Sequence, residues 1–222
     1  FLDKGWTVGL IARRREALDE VAGGRDTAVV IPCDVTDPKA VETAFDSFVA
    51  KTGRLDALFN NAGMSPTPQM IDEVPVETWL QVVNVNLTGM FLCARQAFKH
   101  MRQQDPAGGR IINNGSISAH VPRDGSVCYT STKHAITGMT RTLSLDGRPL
   151  GIACGQIDIG NAETDMVRAL NKAKIEAGKP ADPAMDVQHV ADAVLYMADL
   201  PLNANVQFMT VMATQMQYIG RG

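Results

Sequence analysis

The chain has 222 residues, a formal net charge of −3 and 45% hydrophobic residues, which is the composition of an ordinary globular protein with one sizeable core. This charge offers no basic surface for nucleic acid, and no apolar run approaches the ~18 residues that a membrane helix needs. The four cysteines and four histidines are scattered without a metal-ligand spacing, so we expect no metal site, and free thiols in a reducing cytoplasm.

Short apolar runs alternate with longer amphipathic segments, a pattern typical of parallel strands joined by helices. The predicted strands are 7–12, 28–32, 55–60, 110–114, 152–157 and 206–211, and the predicted helices are about 38–51, 77–101, 127–145 and 186–199. The stretch from Gly160 to Met185 contains Gly178, Pro180 and Pro183, and it predicts a mobile flap near a site. No boundary divides the chain, so we expect a single domain over residues 1–222.

The first residues differ from the usual beginning of such a sheet. The residues up to Gly5 predict the end of a helix that leads into the first strand, and no G-x-x-x-G-x-G turn occurs in the sequence. A βαβ unit takes about 30 residues, so we expect that roughly 25 residues, a strand and a glycine-rich turn, are absent from the N-terminus. Because that strand would be central, we expect that these 222 residues alone do not fold stably.

Tyr129 and Lys133 lie four positions apart in the predicted helix over 127–145, so their side chains share a face. A neighbouring ammonium favours the phenolate, which predicts a lowered tyrosine pKa and a proton transfer to or from a carbonyl oxygen. A surface pair without function shows the same spacing, so the pair alone does not decide between the two interpretations.

Five segments, in this chain order, resemble those of the short-chain dehydrogenase/reductase family in its shorter, single-domain form: CDVTDP at 33–38, NNAG at 60–63, NVNLTG at 84–89, GRIINNGSIS at 109–118 and YTSTK at 129–133. Each lies at the carboxyl end of a predicted strand or in the helix after it, where such sheets bind ligands. The resemblance implies an α/β fold with a doubly wound parallel sheet, Rossmann-like and three-layered α/β/α, here truncated at the N-terminus.

The resemblance also implies a catalytic set made of Asn86, Ser116, Tyr129 and Lys133. Tyr129 would give a proton to a carbonyl oxygen or take it from an alcohol, and Ser116 would hydrogen-bond that oxygen. Ser116 lies 13 residues before Tyr129, the usual interval in the family, which leaves Ser118 as the fallback. Lys133 would lower the tyrosine pKa and bind the nicotinamide ribose, while Asn86 would hold a water that links Lys133 to solvent.

Cofactor contacts are implied by resemblance at Asp34, Val35, Asn61, Ala62, Gly63, Tyr129, Lys133, Gly160 and Thr164. Members of the family that prefer NAD usually carry an acid at the end of this strand, but here that position is Ala12, and Arg13 and Arg14 follow it. Guanidinium groups bind a 2′-phosphate through charge-assisted hydrogen bonds, so we predict NADP(H), with NAD(H) as the second choice. A solvated arginine run at the start of a helix is the alternative interpretation. The family's usual proline before Gly160 is replaced by Ile159.

The resulting prediction is an NADP(H)-dependent oxidoreductase of a small carbonyl or secondary alcohol substrate. A catalytically silent, Rossmann-like binding or scaffold protein is the alternative, suggested by the absent glycine-rich turn and disfavoured by the intact catalytic set. A sugar-nucleotide epimerase shares Y-x-x-x-K, but the short C-terminal region disfavours it. We expect a cytoplasmic homodimer or homotetramer without nucleic-acid or membrane partners.

Overall fold

The computed structural model describes residues 1–219. Its strands are β1 Val8–Ala12, β2 Ala28–Pro32, β3 Ala57–Asn60, β4 Gly109–Asn114, β5 Ile152–Ile159 and β6 Phe208–Val211. Its helices are α1 Arg15–Ala22, α2 Pro38–Thr52, α3 Val76–Val83, α4 Met90–Gln103, α5 Val127–Gly147, α6 Asp165–Glu176 and α7 Val187–Asp199. Every predicted strand and helix is present, with ends shifted by a few residues.

All strand pairs are parallel, and helices cover both faces of the sheet. β1 pairs with β2, and β3, β4, β5 and β6 follow one another in a second, four-stranded part. Because successive strand residues point to opposite faces, Ile111 packs against the core under α2 and α4, while Ile112 packs against the core under α7. This arrangement confirms the predicted three-layer, doubly wound fold.

A cleft separates β1 from β3. Within residues 1–219, no strand pairs with β1 on the side away from β2, or with β3 on the side away from β4. A cavity of about 290 Å³ occupies this position, and apolar side chains that include Leu10, Phe45, Phe48 and Leu58 line it. The cleft lies between β1 and β3, at the position that the sequence analysis assigns to a central strand.

Helix α2 shows how local chemistry sets the helix ends. The Asp37 side chain accepts hydrogen bonds from the backbone N–H groups of Lys39 (2.8 Å) and Ala40 (3.1 Å), and Pro38 occupies the first helical position. Gly53 ends the helix with φ of 84°, a left-handed conformation that glycine adopts without a steric penalty. The capping residues therefore confirm the predicted start of this helix.

The helix predicted over 77–101 is interrupted at its centre. A π-helical turn over Asn84–Gly89 separates α3 from α4. Gly89 approaches the end of β2, since a Cβ at this position would lie 2.9 Å from Val35 Cγ2 and 3.3 Å from the Val35 carbonyl oxygen. The turn places Asn86 in the interior, which is consistent with the frequent association of π-turns with functional sites.

The segment predicted as a mobile flap contains a helix. Within 160–185, α6 begins after Thr164, whose Oγ1 accepts a hydrogen bond from the Val167 N–H (3.4 Å). A parallel bridge between Ala162 and Met185 joins the two ends of the segment. The glycine and prolines from which the flap was predicted follow α6 and do not interrupt it. Mobility of the segment stays a prediction.

Candidate active site

A cavity of about 440 Å³ opens at the carboxyl ends of β3, β4 and β5. Six of the predicted site residues line it: Asn61, Gly63, Tyr129, Lys133, Gly160 and Thr164. The other predicted residues lie outside its lining: Ala62, Asn86 and Ser116, together with Arg13, Arg14, Asp34 and Val35 at or after the ends of β1 and β2. The cavity thus brings together two of the four predicted catalytic residues and several of the predicted cofactor contacts.

Lys133 lies in α5 with only 2% of its surface exposed. Its Nζ donates a hydrogen bond to the Asn114 carbonyl oxygen (2.7 Å) and lies 5.5 Å from the centre of the Tyr129 ring. Burial lowers the pKa of Lys133 to about 8, and the negative charge of Asp158 opposes this shift. The ammonium is therefore close to its titration point at neutral to mildly alkaline pH.

The pKa of Tyr129 differs from the expected direction. We predicted that Lys133 would lower it, but burial raises the pKa of Tyr129 above its ordinary value. A hydrogen bond with Ser116 and the positive charge of Arg123 act in the opposite direction and are outweighed. The protein alone therefore keeps Tyr129 as a neutral phenol at neutral pH, which is the form that donates a proton.

Ser116 forms the turn that follows β4 and is 6% exposed. Its Oγ accepts a hydrogen bond from the Ser118 N–H (3.1 Å), and its own backbone N–H donates to Asp158 Oδ1 (3.0 Å). Because the Oγ already accepts from Ser118, its hydroxyl hydrogen is available to donate elsewhere. Ser116, and not the fallback Ser118, is the serine whose hydroxyl counteracts the raised pKa of Tyr129.

Asn86 is fully buried and its side chain binds the loop that follows β3. Its Oδ1 accepts from the Met64 N–H (2.8 Å), and its Nδ2 donates to the Met64 carbonyl oxygen (2.9 Å) and to Thr132 Oγ1 (3.3 Å). These bonds join the π-turn to the lining of the cavity and to α5. Both Nδ2 hydrogens are used in this way, so the water between Asn86 and Lys133, which stays a prediction, would have to bind an oxygen atom of Asn86.

The NNAG segment braces the sheet, as its resemblance implies. Asn60, which we did not single out as a site residue, donates from Nδ2 to the Met90 carbonyl oxygen (2.7 Å) and to Asn113 Oδ1 (3.2 Å). Asn61 Oδ1 accepts from Asn114 Nδ2 (2.6 Å). Together these bonds fix the ends of β3 and β4 at the cavity entrance.

Asp34 lies just after β2, and its carboxylate is held in place. Its Oδ1 accepts from the Thr36 N–H (2.9 Å) and from Thr36 Oγ1 (2.7 Å). These bonds, and to a smaller extent the charge of Arg13, lower the pKa of Asp34. Arg13 and Arg14 are exposed, and among residues 1–219 neither forms an ion pair. The end of β1 therefore presents exposed guanidinium groups that form no ion pair within residues 1–219.

Two residues near Ser116 were missed by the sequence analysis. Asp158 is 1% exposed in β5, and its Oδ2 lies 2.8 Å from His120 Nε2. An acidic residue inside an otherwise apolar strand was the available signal, since buried charges require partners. The partner is 38 positions away in the chain, and so only the fold identifies it.

Residues 1–219 contain no group of three or more His, Cys, Asp or Glu side chains that could hold a metal ion. In the same part of the chain, none of the helices combines the length and the apolar character that crossing a bilayer requires.

Comparisons with known proteins agree with this architecture. The sequence profile of a family described as short chain dehydrogenase matches residues 1–175. A 3beta-hydroxysteroid dehydrogenase of Mediterraneibacter gnavus is 31% identical over 73% of this chain, a match that spans 59% of that relative's length. Sulfoacetaldehyde reductase 2 of Chromohalobacter salexigens is 29% identical over 97% of this chain and 87% of its own length. The closed form of a serine dehydrogenase complexed with NADP⁺ superposes with a TM-score of 0.88 at 26% identity, covering 100% of this chain and 91% of that structure.

Proposed function

Because the chain belongs to the short-chain dehydrogenase family, we propose that it is an NADP(H)-dependent oxidoreductase that interconverts a carbonyl compound and a secondary alcohol. Tyr129 is the general acid and base of this reaction. The observation that carries the proposal is the grouping of Tyr129 and Lys133 in the lining of one cavity beyond the strand ends, with Ser116 next in the chain to the lining residue Gly115. The names of the relatives, a hydroxysteroid dehydrogenase and an aldehyde reductase, support this substrate chemistry.

Proton transfer follows from the states of the side chains. When bound, the nicotinamide supplies or accepts the hydride. During reduction Tyr129, which burial keeps protonated, donates its proton to the substrate oxygen. Ser116 donates its hydroxyl hydrogen to the same oxygen, because its Oγ is already fixed by the Ser118 N–H. During oxidation the alcohol donates its single hydroxyl hydrogen to the deprotonated Tyr129, while Ser116 still donates to the alcohol oxygen.

Lys133 and Asn86 support the reaction at Tyr129, the first through its charge and the second through its hydrogen bonds. The Lys133 ammonium uses one hydrogen on the Asn114 carbonyl oxygen, which leaves two for the nicotinamide ribose and for the environment of the phenol. When Tyr129 has lost its proton, the nearby ammonium stabilises the phenolate. Asn86 is a positioning residue, since its side chain holds Met64 and Thr132.

The residues present fit a dinucleotide. Asp34 and Val35 would hold the adenine end, Asn61, Ala62 and Gly63 the middle of the cavity, and Gly160 and Thr164 the nicotinamide end. Asp34 is preorganised by Thr36, which is the state that binding of an adenine amino group requires. Unpaired Arg13 and Arg14 favour a 2′-phosphate, which selects NADP(H) over NAD(H), and the solved NADP⁺ complex of a similar chain supports this choice.

The test is NADPH oxidation against a panel of ketones and aldehydes, with the reverse reaction on secondary alcohols. We expect turnover with at least one carbonyl class, and a catalytically silent binding protein would bind NADPH without turnover on every member. Size-exclusion chromatography tests the expected homodimer or homotetramer. Apolar side chains exposed on α3 and α4, such as Leu80 (53%) and Phe91 (51%), are consistent with contact between copies. A single domain and a cytoplasmic location are part of the same proposal.

A further inference from the structure

Asp158 is a buried carboxylate surrounded by hydrogen-bond donors. Its Oδ1 accepts from the Ser116 N–H (3.0 Å) and from Gln156 Nε2 (2.7 Å), and its Oδ2 faces His120 Nε2 (2.8 Å). A buried carboxylate is costly unless donors of this kind satisfy it, so these bonds hold it in one position. That position is directly beside the turn that carries Ser116.

Gly115 provides the space for this carboxylate. A Cβ at position 115 would collide with Asp158 Oδ1 and lie 2.6 Å from Gln156 Nε2. The Gly115 N–H donates to the Ile157 carbonyl oxygen (2.8 Å), so the two strands remain paired as the carboxylate approaches. The glycine is therefore required here for close approach of a side chain to the backbone.

The same network reaches helix α5. Gln156 Nε2 donates to Thr137 Oγ1 (3.1 Å), and Thr140 Oγ1 donates to Gln156 Oε1 (3.1 Å). Helix α5 also carries Tyr129 and Lys133. Asp158 thus connects β5, the Ser116 turn and the helix of the proposed proton donor.

Asp158 also contributes charge to the site. Among residues 1–219, the ionisable groups near Lys133 are Asp158 in β5 and Tyr129 in its own helix. Arg123, in the loop before α5, lies 6.0 Å from the centre of the Tyr129 ring. Asp158 is the acid that opposes the lowering of the Lys133 pKa by burial. Its loss would leave that lowering uncompensated.

We propose, on the basis of the proposed function, that Asp158 and His120 are a pair of positioning residues, in which Asp158 fixes the Ser116 turn and contributes a negative charge to the surroundings of Lys133 while His120 holds Asp158 from the solvent side. As an ionised carboxylate Asp158 only accepts, so His120 Nε2 carries the donated hydrogen. The His120 side chain is 37% exposed, so it can be exchanged with little loss of packing.

The first test compares variants of His120 by their kcat and by their KM for NADPH. His120→Ala removes the donor, and we expect kcat to fall about tenfold with little change in the KM for NADPH, because a bond to a buried charge is lost. His120→Gln keeps an N–H donor at the end of the side chain, and we expect it to restore most of kcat. His189→Gln, at an exposed position of α7, is the control. Equal losses in His120→Ala and His120→Gln, or no loss in either, would overturn the role of His120.

The second test measures the pKa of Lys133 in the absence of substrate and turnover. The titration of the Lys133 ε-carbon is followed by NMR in protein with ¹³C-labelled lysine, and the signal is assigned by its absence in Lys133→Met. In Asp158→Asn we expect the pKa of Lys133 to fall by about one further unit, the effect of losing one nearby opposite charge. Asp146→Asn, exposed at the far end of α5, is the control.

An unchanged Lys133 titration in a folded Asp158→Asn protein would overturn the electrostatic part of the proposal. If Asp158→Asn does not fold, the pair of His120 variants decides the positioning part. The NMR outcome is separate from the proposed function, because the titration needs no substrate. The His120 outcome compares kcat between variants that keep Tyr129, so a lack of turnover in the unchanged protein would count against the proposed function and not against the pair.

Discussion

The Lys133 ammonium lies 5.5 Å from the centre of the Tyr129 ring, one helical turn further along α5, and both groups border the same cavity. Burial shifts both titrations, raising the pKa of Tyr129 and lowering that of Lys133 to about 8. The pair therefore holds a neutral phenol beside an ammonium that loses its proton first as the pH rises.

This order of titration predicts the pH dependence of the reduction. A group with a lowered pKa loses its charge at lower pH than usual, so kcat for carbonyl reduction should fall as the pH rises through about 8, where Lys133 becomes neutral. The measurement is kcat at saturating NADPH between about pH 6 and pH 10. A constant kcat across this range would show that the charge of Lys133 is not needed.

Cofactor preference should depend on the arginines after β1. Replacing both Arg13 and Arg14 with Ala removes the charge-assisted bonds to a 2′-phosphate, so the ratio of kcat/KM for NADPH over NADH should fall roughly tenfold to a hundredfold. Arg102→Ala, exposed at the end of α4, is the control. If the double variant keeps the ratio of the unchanged protein, the arginines form only a solvated surface.

Gly115 should tolerate no side chain. Gly115→Ala places a methyl group against Asp158 and Gln156, and we expect a loss of about 1–3 kcal/mol in the free energy of unfolding, together with reduced kcat. Gly138→Ala is the matched control, because nothing lies within 4 Å of its Cβ position in α5, and it should add about 0.5–1 kcal/mol. Denaturant unfolding measures both, and a neutral Gly115→Ala would mean that the carboxylate is not held as described.

The cleft beside β3 predicts an alternating pattern of amide hydrogen exchange. In a strand with a partner on one side only, alternate N–H groups face an unpaired edge, so within Ala57–Asn60 alternate amides should exchange quickly while those directed at β4 are protected. Exchange is followed by NMR under conditions in which the chain is folded, and a lack of protection throughout the 222-residue chain would instead agree with the expectation that these residues alone do not fold stably. Protection of every amide in β3 would show that a further segment pairs with this edge.

Much of the fold could be predicted because its signals are local. The apolar runs marked every strand, and Asp37 and Pro38 marked the start of α2. The π-turn at Asn84–Gly89 was missed because a local widening of the helix leaves the apolar periodicity nearly unchanged. The sheet is divided between β1 and β3, where the expected central strand has no corresponding apolar run in the sequence.

The site was predictable in its residue types and less so in its electrostatics. The spacing of Tyr129 and Lys133 indicated their shared face, and the structure places both at one cavity. The direction of the Tyr129 pKa shift was wrong because desolvation depends on what the fold packs around the ring. The contact between Asp158 and His120 joins distant parts of the chain, and no local pattern indicates such a pair.

The central claim is that Tyr129 passes the proton, and Tyr129→Phe tests it most directly. This variant keeps the ring and removes the hydroxyl, so kcat should fall at least ~100-fold, the usual contribution of general acid catalysis. The Kd for NADPH should change less than about threefold. Tyr196→Phe, on an exposed tyrosine of α7, should behave like the unchanged protein. A Tyr129→Phe protein that binds NADPH and retains more than about a tenth of the original kcat would contradict the account.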